Sequence, residues 1–307
     1  MFYRYPDQIV IKPGVSLNKE VATGLCVCQE LFIILPCDKC VFLQRRHRLN
    51  VELVVTMLTS EKILEFKQNG YLVLPNFSSA QFCDSVVAFA KRELAVQAMP
   101  IEYEADVQYP GAPQSRSAEG GATARRLLMA SARHVMLNAW ATGNPLSDIL
   151  HQLLGAEVLL SQAHHNCIMT KQPAYSSVTG WHRDSRYWNF ARPDLISAWL
   201  ALGDEQVANG CLLVLPGSHY WAIDADQLDA SQFLRTDIAK NESLLAQATA
   251  VPLRQGDLLL FHSNLFHAAG RNTTEKTKYS MVFTYRSGDN LPKPGSRSAA
   301  KNEIPLS

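Results

Sequence analysis

The sequence has no apolar run long enough to cross a bilayer. Its longest, Leu31–Leu35 and Leu195–Leu202, fall well short of the roughly 18 residues a spanning helix requires. It has no surplus of charge either: 29 basic residues face 28 acidic ones, a formal +1, which argues against a polyanionic partner such as nucleic acid. The first residues lack the basic patch, apolar stretch and small-residue cleavage site of a secretory leader, so a cytoplasmic location is expected. Low hydrophobicity is also missing, since 47% of residues are hydrophobic, and a chain of that composition can bury a core. Cysteine is sparse at 7 residues, and Cys26, Cys28, Cys37 and Cys40 all precede Met57.

That cysteine-bearing segment, residues 1–56, differs in texture from the rest of the chain. It carries Arg45-Arg46-His47-Arg48 and no sustained period of helix or strand. Four thiolates could hold zinc, yet a Cys-x-Cys followed by a Cys-x-x-Cys departs from the paired knuckles of ordinary structural sites. We read residues 1–56 as an extension outside the fold. Met57-Leu58-Thr59-Ser60-Glu61 then opens a capped helix with an acidic first turn, and Met57 is the expected start of a single domain over 57–307.

Within the domain the pattern predicts a helical first third. Ile63, Leu64 and Phe66 stop at Gly70, a strand runs Tyr71–Leu74, and Ser78 with Gln81 forms a capping box before Phe82, Val86, Phe89 and Ala90. Residues 100–122 read as a long loop of lid type. Arg125 and Arg126 after it could meet an acidic ligand, with a solvated pair the expected state. Two more helices follow, over 132–141 and 145–154, the second stopped by Gly155. Beyond it come short strands near 157–162, 165–171, 180–184, 195–202, 211–215, 257–262 and 279–285, with a helical or irregular insertion near 222–250. A mainly β fold with flanking helices, a jelly roll, fits this series.

The chemistry concentrates in Gly180-Trp181-His182-Arg183-Asp184. In extended backbone alternate side chains share a face, so His182 and Asp184 project together. An imidazole and a carboxylate joined by one distant histidine would make the two-His-one-carboxylate triad of non-haem Fe(II). Two histidines could be the third ligand, His262 at the end of Asp257-Leu258-Leu259-Leu260-Phe261-His262, or His267 just beyond. Opposite strand parity would keep both from pointing at one ion, and spacing does not choose between them.

The ordered motifs Trp-His-x-Asp, Asn209-Gly-Cys-Leu-Leu-Val-Leu-Pro-Gly-Ser-His219, Gly256-Asp-Leu-Leu-Leu-Phe-His262 and His267-Ala-Ala-Gly-Arg-Asn-Thr273 resemble the phytanoyl-CoA dioxygenase family of Fe(II)/2-oxoglutarate-dependent oxygenases. The resemblance spans roughly residues 60–294. It implies a double-stranded β-helix and the ligands His182, Asp184 and His267. It leaves His219 structural and His164 and His165 in the core or pocket wall. It also implies that Fe(II), 2-oxoglutarate and O2 together oxidise a small molecule, releasing succinate and CO2, with hydroxylation favoured because an aspartate fills the carboxylate position.

In one place the sequence departs from the family. Where the family carries an arginine that grips the far carboxylate of 2-oxoglutarate, this chain has Lys278, which shares a strand face with Ser280 and Arg286. Arg271 is the other candidate for that role. The competing reading is a non-catalytic or differently metallated jelly-roll binding protein. Neither the aromatic group Tyr187, Trp188 and Phe190 nor Arg183 and Arg186 identifies a substrate, and these side chains serve equally as packing.

Overall fold

The computed structural model describes residues 8–11, 15–18, 28–29, 32–33, 57–107 and 109–306. The chain separates into two units, 1–54 and 55–307. In the first, β1 (Gln8–Ile11) pairs antiparallel with β2 (Val15–Asn18), and β3 (Cys28–Gln29) with β4 (Phe32–Ile33). The side chains of the four cysteines, and so the zinc reading, lie outside the described residues.

The second unit begins with α1 (Ser60–Asn69), whose N-cap Thr59 accepts from the Lys62 amide and whose chain reverses at Gly70, φ 77°. Strand β5 (Tyr71–Leu74) and α2 (Ala80–Ala95) follow. The cap of α2 is Ser79 rather than the expected Ser78: the Ser79 hydroxyl accepts from the Phe82 amide, while Ser78 Oγ accepts from Trp140 Nε1 at 2.9 Å. The stretch read as a lid loop contains β6 (Ile101–Tyr103) and the single turn α3 (Glu104–Val107), because β6 pairs with β7 (Ala124–Leu128). The helix expected over 132–141 is two, α4 (Ala130–Arg133) and α5 (Val135–Thr142), divided at His134, whose backbone is extended and whose Nδ1 accepts from the Met136 amide to cap the second. Helix α6 (Leu146–Leu154) ends at Gly155 as expected.

The rest is β structure: β8 (Val158–Lys171), β9 (Thr179–His182), β10 (Leu195–Ala201), β11 (Leu212–Val214), then α7 (Ala239–Leu245), β12 (Thr249–Val251), β13 (Leu258–His262), β14 (His267–Ala269), β15 (Lys278–Ser287) and β16 (Ile304–Pro305). The two strands expected over 157–171 are one strand with a bulge, because Ser161 pairs with Thr284 and Asn166 with Phe283, leaving residues 162–165 outside the ladder. The segment 222–250 is not wholly outside the sheets, since its end enters β12 and pairs with β11.

All pairings among the described residues are antiparallel. The larger sheet runs β5-β13-β10-β15-β8-β7-β6, with β16 beside β8, and the smaller β12-β11-β14-β9. Two-residue alternation divides each central strand between two cores. Ile196, Ala198 and Leu200, Leu258 and Leu260, and Met281, Phe283 and Tyr285 pack under the helices with Phe66, Val86, Phe89, Leu137 and Ile149. Trp199, Leu259, Phe261 and Val282 face Leu212, Val214, Val251 and Ala269 of the smaller sheet. Two facing antiparallel sheets of this order form the double-stranded β-helix, and the site lies between them.

Candidate metal centre and its cavity

Strand β9 ends on His182, and Asp184 opens a 3-10 turn over Asp184–Tyr187. Arg183 between them keeps extended backbone, φ −107° and ψ 132°, so the two side chains still leave on one side. His267 opens β14 and is the register partner of His182 on the neighbouring strand. The three residues are buried, and one ligand atom from each lies within 4.8 Å of the others. His182 Nε2 stands 3.3 Å and His267 Nε2 3.5 Å from Asp184 Oδ1.

Both rings are oriented from behind. His182 Nδ1 lies 2.9 Å from the Gly180 carbonyl and His267 Nδ1 3.0 Å from the Leu265 carbonyl. A carbonyl can only accept, so each Nδ1 carries a proton and each Nε2 faces Asp184. Burial, and then the neighbouring His267, push His182 down to about 4. Burial alone would raise Asp184, but the imidazoles of His165 and His267 outweigh it and hold the carboxyl well below its ordinary range.

The Asp184 carboxylate is fully buried, and neither oxygen has a hydrogen-bond partner. Burying a carboxylate without donors costs several kcal/mol, whereas a cation among these three groups would satisfy it. Two imidazoles and one carboxylate, with the remaining positions open, are the donor set of non-haem Fe(II), and the residues fit that ion.

His262 is elsewhere. It closes β13 in the larger sheet, its Nδ1 accepts from the Asn264 amide at 3.0 Å, and its Nε2 stands 3.6 Å from Asp194. The turn 263–266 carries the chain to the other sheet, so the parity rule for one regular strand does not govern these two histidines. His219 Nε2 meets the Lys67 carbonyl, and Arg183 lies over Phe266 while donating to the Ser218 and Trp221 carbonyls. Trp188 and Phe190 pack with Ala163 and Leu195.

A cavity opens from the triad between the sheets, lined among others by Arg125, Arg126, His165, Lys171, Lys278 and Ser280. The arginine pair is buried, contrary to the solvated state expected, because β7 is covered within the larger sheet. Arg125 donates to Glu104, Ser177 and Thr179, whereas the one ion-pair partner of Arg126 among the described residues is Glu102, 3.4 Å from its Nε and out of line for a hydrogen bond. His165 reaches the cavity through the bulge in β8, where its φ is 41°, and its Nδ1 stands 3.1 Å from Asp184 Oδ2. Tyr187 stacks on His164 at 4.1 Å and shares a 3.1 Å hydrogen bond with Tyr109.

Lys278 and Ser280 point inward as their parity requires, but their charge is already met. Glu205, fully buried, receives Lys278 Nζ at 2.8 Å on Oε2, and Ser280 Oγ at 2.6 Å and Trp199 Nε1 at 3.0 Å on Oε1. Arg271 lies outside the cavity lining, exposed, donating to the Ser176 and Ala174 carbonyls.

The sequence profile of the phytanoyl-CoA dioxygenase family matches residues 66–280. The chain belongs to this family. Ectoine dioxygenase of Sphingopyxis alaskensis is 26% identical over 255 residues, covering 77% of this chain and 79% of the relative. Phytanoyl-CoA dioxygenase domain-containing protein 1 of Bos taurus is 20% identical over 265 residues, 74% and 89%. Among solved structures, EctD from S. alaskensis with 2-oxoglutarate and 5-hydroxyectoine superposes with a TM-score of 0.65 at 21% identity, covering 81% of this chain and 86% of that one. The alpha-ketoglutarate-dependent epimerase SnoN from nogalamycin biosynthesis gives 0.59 at 22% identity, covering 80% and 94%. These likenesses carry the jelly-roll fold. Family membership together with the triad makes the chain an Fe(II)- and 2-oxoglutarate-dependent dioxygenase. No helix among the described residues of this dioxygenase is long and apolar enough to cross a membrane.

Proposed function

We propose that this dioxygenase hydroxylates a small-molecule substrate in the cytoplasm, with His182, Asp184 and His267 as the iron ligands. The observation that carries the reading is the fully buried Asp184 carboxylate, with no hydrogen-bond partner and with the Nε2 atoms of His182 and His267 at 3.3 and 3.5 Å from its Oδ1. When bound, Fe(II) and 2-oxoglutarate supply O2 activation, coupling oxidation of the cosubstrate to succinate and CO2 with oxidation of a substrate C–H bond. The chain's own work is positioning and exclusion of water. The Gly180 and Leu265 carbonyls fix the imidazole tautomers, Phe261 packs against His267 with ring centroids 5.1 Å apart, and the two sheets enclose the site.

The far carboxylate of the cosubstrate belongs at the end of the cavity bounded by Lys278 and Ser280. Substrate is expected to approach by Arg126, His165 and the Tyr109–Tyr187 pair, where the cavity keeps a guanidinium without a hydrogen bond. The test is succinate release from 2-oxoglutarate with Fe(II) and O2, screened over candidate small molecules. Release that needs iron and is stimulated by a substrate supports the reading. Iron and 2-oxoglutarate failing to bind would overturn it.

A further inference from the structure

Lys171 and Lys278 are register partners on β8 and β15. Side chains directly opposite each other on an antiparallel pair share a face at close range, and like charges there repel. Both lysines are buried and both line the cavity that holds the triad. Two carboxylates act on Lys171, Glu104 and Glu205. Glu205 is used up by Lys278, Ser280 and Trp199. The next, Glu104, is engaged by Arg125 and by Ser177. Lys171 is left with a single acceptor, the Ser177 carbonyl at 3.1 Å, and no ion pair among the described residues.

The backbone makes room for this lysine. Gly210 has φ 77°, and a Cβ there would stand 2.6 Å from Lys171 Cε and 2.7 Å from the Gly270 carbonyl oxygen. A buried ammonium with one neutral acceptor is costly unless an anion joins it.

We propose that Lys171 is the cation that receives the far carboxylate of 2-oxoglutarate in this chain, beside a Lys278 already neutralised by Glu205. The assignment rests on the proposed function above. It moves the anchor from β15 to the neighbouring strand and explains how a lysine held by an internal acid can occupy the family's arginine position without emptying the seat of charge. Burial first, then the charges of Arg125 and Lys278, push free Lys171 down to about 7, with Glu104 and Glu205 acting in the opposite direction. The free amine therefore gives up its proton more readily than an ordinary lysine, and an incoming carboxylate that restores its charge is accompanied by proton uptake.

The experiment is anaerobic calorimetric titration of the Fe(II)-loaded full chain with 2-oxoglutarate and with 2-oxopentanoate, which keeps the 2-oxo acid end and lacks the far carboxylate. Wild type should prefer 2-oxoglutarate and take up a proton on binding it at pH 8, measured in buffers of different ionisation enthalpy. Lys171→Met should bind 2-oxoglutarate roughly 10- to 100-fold more weakly, leave 2-oxopentanoate unchanged and lose the proton uptake, with Lys171→Arg restoring part of the preference. Lys171→Gln serves for the same comparison should the methionine variant fail to fold. A variant that keeps the wild-type preference, or weakens for both acids equally, overturns the assignment while leaving the function intact. Failure of wild type to bind either acid overturns both.

Discussion

Replacing Lys278 by alanine should damage the fold before it touches catalysis. Glu205 is fully buried, and among the described residues its one ion pair is with Lys278. In the variant, only the Ser280 hydroxyl and the Trp199 indole remain to meet the charge. Removing one partner of a buried pair costs about 3–5 kcal/mol, because the survivor stays charged in an apolar setting. For a domain of this size each kcal/mol lowers the melting temperature by about 2–4 °C, so Lys278→Ala should melt roughly 6–20 °C below wild type. Combining Lys278→Met with Glu205→Gln removes both charges and keeps an acceptor for Ser280 and Trp199. This double variant should recover most of the loss, giving a large coupling energy in a double-mutant cycle. The assay is thermal or urea unfolding without iron or cosubstrate, so that ligand binding does not enter. A Lys278→Ala protein melting within about one degree of wild type would refute the reasoning and return Lys278 to the role of a free cosubstrate anchor.

Asp184→Asn should bind iron far more weakly by metal analysis while the domain still folds, because the neutral amide fits the space of the carboxylate but is a poor ligand for the ion. Gly210→Ala should both destabilise the domain and weaken 2-oxoglutarate binding. Alanine at φ 77° is strained by about 1 kcal/mol, and its methyl meets Lys171 and the Gly270 carbonyl. A chain starting at Met57 should keep the melting temperature and activity of the full chain. Gln152 exchanges hydrogen bonds with the Leu58 amide and carbonyl, and deletion through Leu58 should lower stability where deletion before Met57 does not.

Much of this protein was legible one segment at a time. Glycines at the ends of α1 and α6, the apolar strand Leu258–His262 and the strand face shared by Lys278 and Ser280 follow from backbone preferences and two-residue alternation, which act within a few residues. The His182 and Asp184 pair was legible for the same reason, since extended backbone at Arg183 suffices to aim both. The choice of His267 over His262 came from resemblance, because only the turn between them, passing from one sheet to the other, brings His267 beside His182.

Tertiary structure alone decided where each charge finds its opposite. Arg125 and Arg126 read as solvated until β7 was placed inside the larger sheet against Glu102 and Glu104. Lys278 read as a free cation because Glu205, in the turn after β10, is distant from it along the chain. Lys171 drew no attention as the last residue of a strand. Alternation says which side of a strand a side chain takes, but the cost of a buried charge depends on groups that the sequence separates by tens of residues and the packed sheets bring within 3 Å.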